Sequence, residues 1–136
     1  MNAEKNLQNE ALKSQYRRMA SKYLYACYAL LFIGVIAVLT SPLDFKPSFE
    51  TPEVWFQRSG ALMTVFALLA ALLKDMGTQT LHKPGYFGDA LKLEVLAELE
   101  QRFEWVFWFA FLFTVLGTLV WGYGDTYYKF VILHQR

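Results

Sequence analysis

Residues 105–124, WVFWFAFLFTVLGTLVWGYG, run for twenty positions without a charged side chain. Wound as an α-helix, this stretch is roughly 30 Å long, the thickness of a bilayer's hydrocarbon core. Ten of its residues are Val, Leu or Phe, which together favour insertion by roughly 3 to 6 kcal/mol. Trp105 and Trp108 stand at one end and Trp121 and Tyr123 at the other, where amphipathic rings suit the two membrane–water boundaries. A soluble protein can bury one such helix as its core. Two further apolar stretches in the same chain favour the membrane instead.

The first of these continues a charged helix. Leu12, Tyr16, Met19 and Tyr23 recur at steps of four, three and four, and Ala26, Leu30, Ile33 and Ala37 carry the pattern into the uncharged run 23–43. That spacing predicts an apolar seam along one helix face. Gly34 is the first glycine and Pro42 the first proline, so nothing breaks the join. A single helix of about 36 residues, roughly 54 Å long, is predicted, ending at Ser41-Pro42. Its long polar leader and the lack of a small-x-small site argue against a cleavable signal.

The second stretch is weaker. Seven Val, Leu and Phe residues between Leu62 and Leu73 supply roughly 2 to 4 kcal/mol, about what one charge at mid-membrane would cancel. Arg58 is therefore expected to reach the outer interface. A re-entrant segment is the alternative to a full crossing. Gly60, Thr64, Ala67 and Ala71 form a strip of small residues, the kind of face that lets another helix approach closely.

Lys74-Asp75 marks a return to water, followed by a Gly- and Pro-rich connection over 78–88 that Asp89 is suited to end as a helix cap. Leu91, Val95, Leu99 and Phe103 then recur every four residues, opposite Glu94, Glu98 and Gln101, which predicts an amphipathic helix running straight into 105–124. Ala110, Thr114 and Gly117 repeat the small-residue spacing, so the second and third spans are expected to pack together. Glu94, Glu98 and Glu100 are expected to face Lys13, Arg17 and Lys22 as antiparallel partners. The partly apolar tail is expected to lie along the interface.

These readings give an all-α integral membrane protein with one domain over 1–136. Spans are expected at about 23–41, 56–73 and 104–124, and two long helices extend into the cytoplasm over about 6–22 and 89–103. Lys and Arg number nine in the N-terminal extension and the 74–102 connection, against four in 44–58 and the tail. That bias places the N-terminus in the cytoplasm of a bacterial inner membrane and the C-terminus outside.

Residues that could carry chemistry are few. His82 and His134 stand in a loop and near the end, with no ligand set around them, so no metal and no haem or other cofactor is expected. No phosphate-cradling glycine loop or nucleophile motif occurs, no small-molecule substrate is indicated, and a net charge of +1 gives no case for nucleic acid. Cys27 reads as packing. Arg58 and Glu104 sit at span edges, Glu104 next to Arg102 as an interfacial ion pair or, in an oligomer, at a pore mouth. With no charge at mid-span, proton-coupled transport and intramembrane catalysis are disfavoured.

The expectation is a non-catalytic subunit, anchor or immunity-type binding protein in the lipid bilayer. It would associate as a homo-oligomer or with a membrane protein through the two helix strips. A docking stripe of Leu12, Tyr16, Met19, Leu91, Val95 and Leu99 on the wet extensions offers a second surface. The alternative is a homo-oligomeric pore lined by Thr64, Thr114, Thr118 and small residues.

Overall fold

The computed structural model describes residues 2–41, 50–81 and 90–132. Three long helices occupy them, α1 (Asn2–Thr40), α2 (Pro52–Leu81) and α3 (Ala90–Tyr127), and a wider π-helical turn, Tyr128–Ile132, continues α3. Each of the three is long and apolar enough to cross a membrane. The connections predicted over 41–53 and 78–88 lie largely outside the described residues, as do Asp89, His82 and His134.

Local chemistry sets the helix ends. The Ser41 N–H and hydroxyl both donate to the Val38 carbonyl, at 3.3 and 2.7 Å, so the last turn of α1 closes on its own end. Thr51 precedes Pro52 at the first helical position of α2, where a missing N–H costs nothing. The Trp55 N–H closes that turn on the Thr51 carbonyl at 3.1 Å.

α2 is the central helix and runs antiparallel to both others. The Cys27 thiol donates to the Ala70 carbonyl at 3.3 Å and Gly34 lies against Met63, so positions rise along α1 as they fall along α2. Gly60 against Gly117 and Gln57 against Gly124 give the same sense for α2 and α3. α1 and α3 are therefore parallel. Lys13 meets Glu94 and Arg17 meets Glu98, both pairs separated by 81 residues; an antiparallel pair would have its separations shrink along the helix. The antiparallel arrangement expected for these extensions is thus corrected: helices flanking one shared hairpin partner point the same way.

The core is one continuous column. Ala20, Leu24, Cys27 and Leu31 of α1 meet Ala67, Ala70 and Leu81 of α2 and Val95, Leu99, Phe103, Val106 and Ala110 of α3. On α1 this differs from the predicted seam by one position. Met19 is 38% exposed and Ile33 47%, while their neighbours Ala20 and Gly34 are buried. The large side chains point outward and the small ones turn inward, where they permit close backbone approach, the arrangement favoured when the surroundings are as apolar as the core. Ala20, Cys27 and Gly34, at steps of seven, are the signal that marks this face.

α2 also continues beyond Lys74, through MGTQTL to Leu81, so three helices rather than two project past the apolar band. Gly77 permits it. A Cβ there would sit 3.0 Å from the Tyr23 Cβ and 3.5 Å from the Phe103 ring, so the last turns of α2 rest directly on side chains from both neighbours.

Candidate helix-association site

The closest helix approach is between α2 and α3. A Cβ built on Gly60 would stand 2.6 Å from the Gly117 carbonyl oxygen and from the Trp121 nitrogen. One built on Gly117 would stand 2.5 Å from Thr64 Oγ1 and 2.7 Å from the Gly60 carbonyl oxygen. Only hydrogen fits at either position. Ala67 and Ala110 are buried along the same face, and Thr64, Ala71 and Thr114 are half-buried. All seven strip residues therefore lie at least partly inside the bundle.

The threonine hydroxyls are spent locally. Thr64 donates to the Gly60 carbonyl at 3.1 Å, Thr114 to Ala110 at 2.8 Å and Thr118 to Thr114 at 2.7 Å, each satisfying its polar atom within its own helix. At the far end of the seam, Gln57 Nε2 donates to the Trp121 carbonyl at 2.7 Å. There Gly124 admits the Phe56 ring, which also meets Tyr127 and Tyr128 at centroid separations of 6.3 and 5.9 Å. Tyr128 is buried, so the start of the tail is anchored on α2. Residues 133–136 lie outside the described part.

The charged edge residues are separate from this seam. Arg58 is exposed and ion-paired with Glu50. Glu104 is exposed and borders a shallow groove with Gln101, Trp105 and Trp108, with no ion pair to Arg102 among the described residues. Two positions apart on a helix, these side chains point to different faces.

The six docking residues split. Val95 and Leu99 are core, Tyr16 and Leu91 are half-buried, and Leu12 and Met19 are exposed. The Tyr16 ring lies 5.0 Å below the Lys92 amino group, a cation–π contact beside the ion pairs of Lys13 with Glu94 and Glu98 and of Arg17 with Glu98. Together these clasp the charged ends of α1 and α3. Glu100 and Lys22 take no part in it. Residues 4–12 of α1 reach beyond the clasp and are exposed throughout.

The clasp has a defined pH window. Hydrogen bonds from Arg17 and then Lys13 hold the Glu98 carboxyl below its ordinary value of 4.5, and bonds to Glu94 and Glu98 raise Lys13 above 10.5. A depressed carboxylate contributes stability above its unfolded pKa and loses it as pH falls through the folded one; a raised amine contributes below its unfolded pKa and loses it as pH rises. The clasp is therefore whole between pH 4.5 and 10.5. Limited proteolysis within residues 13–20, the part of α1 that the clasp holds, is expected to be slow across that window and to accelerate below it. Glu98→Gln should give the fast rate at neutral pH. A rate flat from pH 7 to pH 3 would refute the clasp.

Sequence reasoning had no strong signal for three features: the Gly77 notch, the Gln57 bond and the Cys27–Ala70 contact. Each joins residues from different helices and is invisible to periodicity within one. Among the described residues no group of three or more His, Cys, Asp or Glu side chains is placed to hold a metal ion. No family model, no curated protein and no solved structure matches the chain.

Proposed function

We propose that this chain is a three-span integral membrane protein that acts without catalysis, by binding a second membrane protein or further copies of itself. In this reading the N-terminus and all three projecting helix ends lie in the cytoplasm and the C-terminus lies outside. Its single strongest support is the exposed α1 arm, residues 4–12, continuing into Leu12 and Met19. The small-residue strips are consumed within the chain, so they do not serve a partner. Residues 4–12 lie beyond the ion pairs that tie α1 to α3, and Leu12 and Met19 keep 37% and 38% of their surface exposed, so a partner would gain by covering them.

The test is the mass of the full chain extracted from its native membrane in a mild non-ionic detergent. A particle well above the 15.8 kDa of one chain, after subtraction of detergent, is expected. Leu12→Glu with Met19→Glu should reduce it to one chain while the helical circular dichroism is kept. A lone monomer from the native membrane, or a water-soluble one, defeats the proposal. Ion leakage from vesicles holding the purified chain alone would favour the pore, which would have to form between copies because Thr64 and Thr114 are engaged inside one.

A further inference from the structure

The α1–α3 clasp has a third rung that is not matched. Glu94, Glu98 and Arg102 follow one another at steps of four along α3, one row on a helix surface. The first two face Lys13 and Arg17 at the constant separation of 81 residues. The same separation sets Arg102 opposite Ser21, a neutral side chain. Arg102 is exposed, and among the described residues its guanidinium has no carboxylate partner. Across from it, the Tyr28 hydroxyl donates to the Arg102 carbonyl oxygen at 3.5 Å. Tyr28 is also the first residue of an apolar groove between α1 and α3, lined by Leu31, Phe32, Val35, Phe109 and Phe113, with a volume of about 250 Å³. The groove lies further along both helices than the clasp: Lys13 and Arg17 tie α1 to Glu94 and Glu98 of α3 by charge, and from Tyr28 and Phe109 onward apolar side chains line the cleft between the two helices.

We infer that Arg102 and this groove form a binding site for an anionic phospholipid of the cytoplasmic leaflet, the phosphate on the Arg102 guanidinium and one acyl chain between α1 and α3. The inference rests on the membrane-spanning reading proposed above. Charge complementarity carries it. An unpaired guanidinium at the end of the uncharged band takes a phosphate in its planar fork, and the aromatic and branched walls directly above take hydrocarbon but no polar group. A helix from a second copy would fill the groove but leave the guanidinium unmatched. The lipid satisfies both.

Native mass spectrometry of the full chain in non-ionic detergent, titrated with phosphatidylglycerol and with phosphatidylcholine, tests this. Phosphatidylglycerol is expected to bind the more tightly. Arg102→Gln should weaken it roughly five- to tenfold and bring the two lipids level. Arg18→Gln removes the same charge from an exposed position outside the α1–α3 row, and should change little. Val35→Trp, which fills the groove, should weaken both lipids. Equal losses in Arg102→Gln and Arg18→Gln would reduce the effect to net charge and overturn the site. So would unchanged binding in a folded Arg102→Gln protein, or capture of glycerol phosphate as strongly as the whole lipid. If the chain needs no detergent at all, the membrane reading falls and the site with it; if it needs detergent but Arg102→Gln binds as wild type, only the site falls.

Discussion

Gly117→Leu is expected to unseat α2 from α3 and to cost about 3 kcal/mol, the upper end for an overpacked interior. The obstruction is severe because two of the three atoms nearest a Cβ on Gly117 belong to the backbone, the Gly60 carbonyl oxygen at 2.7 Å and the Thr64 nitrogen at 2.9 Å. A flexible side chain can swing away from a new methyl group, but a packed helix has to move as a whole. Moving α2 would also disturb its other face, where Met63 and Ala70 meet Gly34 and Cys27. Thermal unfolding in detergent, followed by circular dichroism, measures the effect. Leu119→Ile, at an exposed position two residues away, should change stability by less than about 0.5 kcal/mol. Equal shifts in the two variants would mean that the glycine contact is not where the bundle closes.

Phe103→Ala should be at least as damaging, by about 3 to 5 kcal/mol. Phe103 is 2% exposed and lies at the level where all three helices meet, its ring edge close to Gly77 of α2, which itself carries Tyr23 of α1. Truncation leaves a void that no neighbour fills without shifting a helix. Because the ring supports the last turns of α2, the loss should appear first in the projecting ends: hydrogen exchange over 74–81 and 90–103 is expected to rise well before exchange over 105–120. Uniform loosening along the chain would show that the projecting ends and the apolar band unfold as one unit, contrary to this placement.

Much of the architecture was legible in residue order. The uncharged runs gave three helices with the capacity to span a bilayer, Ser41-Pro42 marked the end of the first, and the four-residue recurrence of Leu91, Val95, Leu99 and Phe103 named a face of α3 that includes Val95, Leu99 and Phe103 of the core. On α3 this worked because the amphipathic part lies in the projecting end, where charge opposes apolar surface. On α1 the same logic named Met19 and Ile33, and the buried positions are Ala20 and Gly34. Leu, Ile and Phe on both sides of a helix carry no information about which side is packed. Gly60 and Gly117 were legible for the opposite reason, since smallness rather than hydrophobicity distinguishes a helix contact in an apolar solvent.

The order of residues alone determined that this chain is helical, that three of its segments are apolar enough to cross a bilayer, and that no ionisable group falls in the middle of one. Those are properties of composition along a line, and a bilayer reads composition. Only the tertiary structure decided the rotation and height at which α1 and α3 lie side by side, that the glycine strips are used up inside one chain, and that Arg102 stands opposite Ser21 while Lys13 and Arg17 find carboxylates. Those facts depend on the rotation and height of one helix against another. They are set by sub-ångström clearances such as those at Gly60 and Gly77, to which a pattern of hydrophobicity is blind.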